Sequence, residues 1–142
     1  MEEKNNKNDS FNELIKINCK TEKKGRFNYI SWAEAWKQTK TLYPDATYRV
    51  YEKEGVKDGV IYSTGRPIFP ISEKAGAFVK VGVTINNVEH VELYPITDHY
   101  NKAIPYDQID VNHINKAIKR ALVKALAFHG LGLKVYENED LS

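Results

Sequence analysis

Residues Asp110–Leu133 read DVNHINKAIKRALVKALAFHGLGL, and this stretch decides the fold. Ile114, Ala117, Ile118, Ala121, Leu122, Ala125 and Leu126 recur at spacings of three and four, which puts them on one stripe of an α-helix. At about 3.6 residues per turn, Lys116, Lys119, Arg120 and Lys124 fall on the opposite side. Asp110 suits the N-cap, where its charge complements the positive helix end. Gly130 suits the position just past the end, because glycine takes a left-handed turn without a Cβ clash. The spacing therefore predicts a helix that docks through aliphatic side chains and turns cations outward, a face that fits a row of phosphates. The ordinary alternative is a solvated helix, which also sets Lys and Arg opposite an apolar stripe. A merely solvated face, however, mixes signs to gain pairs four residues apart, and this one carries no carboxylate between Lys116 and Lys124.

Upstream of this helix the pattern changes from helical to alternating. Ala77–Ile85, AFVKVGVTI, puts Val79, Val81, Val83 and Ile85 on one face and Lys80, Gly82 and Thr84 on the other. Asn86-Asn87 is a turn pair, and Val88–Pro95 returns as the second strand of a hairpin. Hydrophobicity assigns Val91 and Leu93 to its inner face and His90 and Glu92 to its outer face. Thr97–Gln108 is a polar loop leading into the long helix. Ala46–Lys53, ATYRVYEK, is a further strand, and Gly55–Pro70 reads as a loose hairpin or a long loop with one short strand.

The N-terminal part is more helical. Ser31 and Glu34 have capping-box spacing at the head of a helix over Ser31–Tyr43, which Pro44 closes. Trp32, Ala35, Trp36, Thr39 and Tyr43 line one side. The two tryptophans read as core anchors, with a base-stacking platform as the alternative. FNELIKIN, from Phe11, begins a shorter first helix. Lys20–Arg26 reads as a charged connection, and residues 1–10 as a frayed lead-in. Gly132–Tyr136 is a short extension, taken as a strand if it is regular at all. The expected fold is α+β: an antiparallel three- or four-stranded sheet with a hairpin core, packed on the long C-terminal helix, with a shorter N-terminal helix. Residues 1–28 form a flexible lead-in with a short helix, and 29–142 a single core domain.

The totals bound the function. The chain has 142 residues, 42% of them hydrophobic and 28% charged, enough for one folded core. Net charge is only +2, so a basic surface must be local. Asp110–Tyr136 holds five Lys or Arg and one acid, whereas Glu137–Ser142 holds three acids and no base. A single cysteine, Cys19, excludes an internal disulfide and a cysteine-based zinc site, and points to a reducing compartment. No apolar run approaches membrane-spanning length, and MEEKNNKNDS has no apolar signal-peptide core, so the expected location is cytoplasmic. No glycine-rich loop precedes a Lys-Ser/Thr pair, so ATP hydrolysis is not suggested.

Three blocks together carry a resemblance. They are YISWAEAWKQTKTLYPDATYRV from Tyr29, FVKVGVTINNVEHVELYPITDHYNKAI from Phe78, and INKAIKRALVKALAFHGLGLKVYENEDL from Ile114. In this order they resemble the phage Sak-three-type single-strand annealing proteins, a family regarded as related to the eukaryotic annealing protein Rad-fifty-two. The resemblance spans about residues 30 to 142, with a variable stretch near 54 to 75. The run KRALVKAL with Gly130 four residues on is similar to the Rad-fifty-two groove helix. Lys124 matches one of its basic positions, while Val123 and Ala127 stand where that relative has further cations. The resemblance implies binding of single-stranded DNA and ATP-independent annealing of complementary strands in phage recombination, without a cofactor. It also implies assembly into homo-oligomeric rings or filaments in a bacterial host, alongside a single-strand binding protein or a phage exonuclease, and no membrane.

The chemistry of the residues fits that implication. An annealing protein holds phosphates and leaves base edges free, so it needs cations on a rigid element. The candidate DNA-binding residues are Lys116, Lys119, Arg120 and Lys124 on the helix, extended by Lys80 on the hairpin and Lys102 in the loop. So few cations bind weakly at physiological salt, and repetition around an oligomer multiplies them. Two other functions compete. A passive single-strand binding module would use the nine tyrosines for stacking. A metal-dependent nuclease would use Asp98, His99, Asp107, Asp110 and His113, which cluster in sequence, although Asp110 already has a capping role. His129 reads as a packed histidine near the helix end rather than a catalyst. The acidic end ENEDLS reads as a solubilising terminus, with partner recruitment as the alternative.

Overall fold

A computed structural model describes residues 6–137; the expectations for residues 1–5 and for the acidic end at 138–142 lie outside the described residues. The elements run in the order α1 (Asn6–Leu14), β1 (Glu22–Lys24), β2 (Phe27–Tyr29), α2 (Trp32–Leu42), β3 (Thr47–Val50), β4 (Glu54–Lys57), β5 (Val60–Ser63), β6 (Phe69–Ser72), β7 (Gly76–Ile85), β8 (Val88–Pro95), α3 (Val111–Phe128) and α4 (Leu133–Tyr136). The α+β class, the antiparallel hairpins and the long α3 are as the sequence predicts.

The main sheet has four strands built on β7, which pairs with β3, β6 and β8. A strand has two edges, and β8 takes one of them through its hairpin. β6 meets the start of β7, with Phe69 opposite Phe78, and the Tyr51 amide donates to the Lys80 carbonyl farther along (2.9 Å). β1–β2 and β4–β5 are separate two-stranded hairpins. The first occupies the segment expected to be a charged connection, where β1 and β2 close around Gly25-Arg26. The second turns at Asp58-Gly59, both with positive φ (54° and 77°), the geometry of a tight two-residue hairpin loop.

Contacts gather the chain into two compact units. The first contains α1, the β1–β2 hairpin, α2, the turn end of β7–β8, the C-terminal half of α3 and α4. Its buried residues include Leu14, Ile30, Ala35, Val83, Ile85, Leu122, Leu126 and Leu131. The second contains β4, β5, β6, the rest of β7 and β8, the loop after β8 and the N-terminal half of α3. Its buried residues include Ala77, Val79, Val81, Ile96, Ile104, Ala117 and Ala121.

Local signals account for the ends of the helices. The Asp110 carboxylate accepts from the His113 amide (2.9 Å), as an N-cap should, and His113 Nδ1 accepts from the Asp110 amide in return (3.0 Å). At the other end the Leu131 amide donates to the Leu126 carbonyl and the Gly130 amide to the Ala127 carbonyl, the paired bonds of a Schellman stop. Gly130 sits at φ 112°, and a Cβ there would lie 2.9 Å from the Phe11 carbonyl oxygen. Ser31 caps α2 by accepting from the Glu34 amide (3.1 Å). The capping box is only half formed, because the Glu34 carboxylate bonds to the Lys20 amide and to Gln38.

Other expectations are corrected. Among the described residues α1 spans Asn6–Leu14, which takes in residues ahead of the apolar ones that marked it in the sequence. The strand read over Ala46–Lys53 ends at Val50. Trp32 is 43% exposed, and Trp36 is half-buried with its ring edge-on to Tyr48 at 5.2 Å; Ala35 and Thr39 are the buried residues of α2. The helix docks by its small side chains, which admit closer approach than indole rings do. Gly132–Tyr136 is not a strand: the chain turns again at Gly132 (φ 74°) and enters α4.

β8 faces the other way from its hydrophobic pattern. Val91 and Leu93 are exposed (39% and 54%), and Val88, His90, Glu92 and Tyr94 are the half-buried positions. The two-residue loop Asn86-Asn87 puts Val88 opposite Ile85, so even-numbered β8 residues share the face of the buried valines. His90 consequently meets the His129 ring, edge to face, at 4.4 Å. His129 is buried and its Nε2 bonds the Val83 carbonyl (2.7 Å). Burial holds its pKa below the ordinary 6.5, and neighbouring His90 adds to the effect.

Two predictions follow from this packing. Gly25 and Gly130 both have positive φ, but only Gly130 abuts backbone, so Gly130→Ala should destabilise by about 2 kcal/mol or more beyond Gly25→Ala in chemical denaturation. His129 binds its proton more weakly folded than unfolded. Its contribution to stability is complete above about pH 6.5 and is lost as pH falls through the lowered folded value. The thermal midpoint should fall with acidification, and His129→Leu should flatten that slope while lowering stability throughout, because the Val83 carbonyl loses its donor.

Candidate nucleic-acid interface

α3 contains four cations and no carboxylate. Lys116, Arg120, Lys124 and Phe128 recur every fourth residue, one ridge of the helix surface. Lys116 and Arg120 are exposed, Lys124 is half-buried, and Phe128 closes the ridge at 57% exposure. Lys119 lies beside the ridge and is half-buried. In the C-terminal half of the helix, Ala121, Leu122, Val123, Ala125, Leu126 and Ala127 are all buried. There the apolar surface is wider than one stripe, and the positions left for polar groups narrow to a line. Lys124 is held where it stands by Tyr136 of α4, with Nζ 5.5 Å from the ring centroid.

The other two predicted cations are placed differently. Lys102 exchanges backbone bonds with Asp98 in a tight loop: the Asp98 amide donates to the Lys102 carbonyl (2.9 Å), and the Asp98 carboxylate accepts from the Lys102 amide (3.0 Å). The bonds this carboxylate accepts from the Lys102 and Tyr100 amides, led by the one from Lys102, hold the Asp98 pKa below the ordinary carboxylate value. Lys102 thus carries a carboxylate beside it, which lowers its value as a phosphate contact. Lys80 stands on β7 with Nζ 4.7 Å from the Tyr51 ring centroid, and Arg49 Cζ lies 3.9 Å from the same centroid. Arg49 and Tyr51 were not among the residues expected from sequence. Their signal was the alternation in Arg49-Val50-Tyr51, which puts them on one strand face, but their pairing with Lys80 joins segments far apart in sequence.

Two of the three carboxylates proposed for a nuclease have other partners. Asp98 bonds its own loop and Asp110 caps α3. Among the described residues no group of three or more His, Cys, Asp or Glu is placed to hold a metal ion. No helix among them is long and apolar enough to cross a membrane.

The family model described as Sak Single Strand Annealing Protein matches residues 9–142. The chain belongs to the Sak single-strand annealing family. The match begins within α1 and takes in all the strands, α2, α3 and α4, and it bears out the resemblance carried by the three sequence blocks. Membership in the Sak family associates the chain in general with DNA annealing, and so with DNA binding and recombination. No curated protein and no solved structure matches the chain.

The cap geometry generates a prediction for the start of this interface. Asp110→Ala should cost about 1 kcal/mol of stability, read from urea unfolding, and Asp110→Asn should recover most of it, because the amide oxygen still accepts from the His113 amide.

Proposed function

We propose that the protein binds single-stranded DNA along the basic ridge of α3 and promotes ATP-independent annealing of complementary strands during phage homologous recombination. The observation that carries this reading is the ridge itself: Lys116, Arg120 and Lys124 in a row on a helix without a carboxylate, in a chain of the Sak family. Phosphates in a row are bound by cations on a rigid element, and base edges are left free to find a complement. Lys119 flanks the row, Lys80 adds a contact from the sheet, and Lys102 is the weakest member of the set. No cofactor enters this reading.

Each neutralised phosphate contributes a slope of about −0.7 in the logarithmic salt dependence of single-strand binding. A few such contacts hold DNA weakly near physiological salt. The proposal therefore includes a homo-oligomer, as a ring or filament, in which many copies act at high effective concentration. A single-strand binding protein or a phage exonuclease is the partner class that would supply or expose the strands. The expected setting is the cytoplasm of a bacterial host.

The test is annealing of two complementary labelled oligonucleotides without ATP, with light scattering for mass. Faster annealing by a multimer is the expected result. Tight binding that slows annealing would instead identify a passive single-strand binding protein. Replacing Arg120 and Lys124 together by Gln should weaken binding about tenfold or more at moderate salt and flatten the salt slope by about 1.4, with thermal unfolding little changed.

A further inference from the structure

The sheet carries a second cationic group with a different chemistry. Arg49 and Tyr51 are two residues apart and so share a face, and the Tyr51 amide is bonded to the Lys80 carbonyl on β7. Both cations stand against one phenol ring, Arg49 at 3.9 Å and Lys80 at 4.7 Å. Among the described residues neither cation has a carboxylate in ion-pairing distance. Two like charges beside one ring repel each other, and an anion between them relieves that repulsion. At 3.9 Å the guanidinium is within stacking distance of the phenol, and Arg49 is exposed, so its other side is open. Phe78, two residues before Lys80 on β7, stacks on Phe69 with centroids 5.2 Å apart, which continues this face as an aromatic surface.

We infer that this outer sheet face is a nucleotide-binding subsite for single-stranded DNA, distinct from the phosphate ridge of α3. Tyr51 holds the Arg49 guanidinium flat for a base to stack on it, and Lys80 takes the adjoining phosphate. The inference rests on the single-strand binding proposed above, and it adds base contact to a reading built on phosphates alone.

The test compares two probes of equal length, a fluorescent oligodeoxythymidine and an abasic deoxyribose-phosphate strand. Arg49→Lys keeps the charge and removes the stacking plane; it should lower oligodeoxythymidine affinity about tenfold and leave abasic binding unchanged. Lys80→Ala should weaken both probes alike and flatten the salt slope by about 0.7. Tyr51→Leu should reproduce the Arg49→Lys pattern. If Arg49→Lys alters neither probe, or weakens both equally, the subsite is refuted. Loss of binding on replacing Arg120 and Lys124 by Gln would in that case leave the proposed function standing. If the unsubstituted protein binds neither probe, both proposals fall. A change of mass in light scattering on Arg49→Lys would also overturn the subsite, by making this face a contact between copies.

Discussion

The burial of α3 is the constraint on which the rest of the structure depends. Its C-terminal half is enclosed by contacts to Ala121, Leu122, Val123, Ala125, Leu126 and Ala127, which leaves Lys124 and Phe128 as the positions not buried. A fully buried Leu contributes about 1.5–3 kcal/mol by leaving water, whereas an unpaired buried cation would cost several. The helix therefore has one rotation about its axis that the core tolerates. That rotation sets the cations in line, so the core and the candidate interface are two consequences of one packing decision.

The stop at Gly130 fixes how far that line extends. The glycine backbone meets the Phe11 carbonyl where a side chain would not fit, and the chain turns twice, at Gly130 and Gly132, before α4 begins. Tyr136 is thereby returned to Lys124. A cation resting on an aromatic ring keeps its charge while losing rotamer freedom, which suits a group that must meet an anion repeatedly in one position. His129, beside the same stop, is bonded to β7 through Val83, so the end of the helix and the turn end of the hairpin are joined by a buried polar contact.

Net charge says little about this protein, because its cations are sorted by place. α3 has no acid, while Lys102 shares its loop with Asp98 and Lys37 pairs with Glu34. On the sheet, Lys80 and Arg49 are gathered on an aromatic ring instead. Annealing requires strands to be held and still readable, which favours phosphate contacts; stacking steadies individual bases but competes with pairing. A ridge of cations, rather than a continuous aromatic platform, suits the first requirement.

What the sequence by itself determined is set by neighbours along the chain. The limits of α3 follow from Asp110 and Gly130, the start of α2 from Ser31, and the β7–β8 turn from Asn86-Asn87, since caps and turns are satisfied within a few residues. The cation ridge was legible for the same reason, helical spacing being local. The orientation of β8 was also implicit in the two-residue loop, but Val91 and Leu93 gave a stronger and misleading hydrophobic signal. Only the tertiary structure decided which face was buried, by setting His90 against His129 and leaving the two apolar residues outside. It likewise left Trp32 exposed and brought Arg49 and Tyr51 to Lys80. Those outcomes depend on pairings between distant segments, where the free energy lies in a contact whose two halves are each unremarkable in sequence.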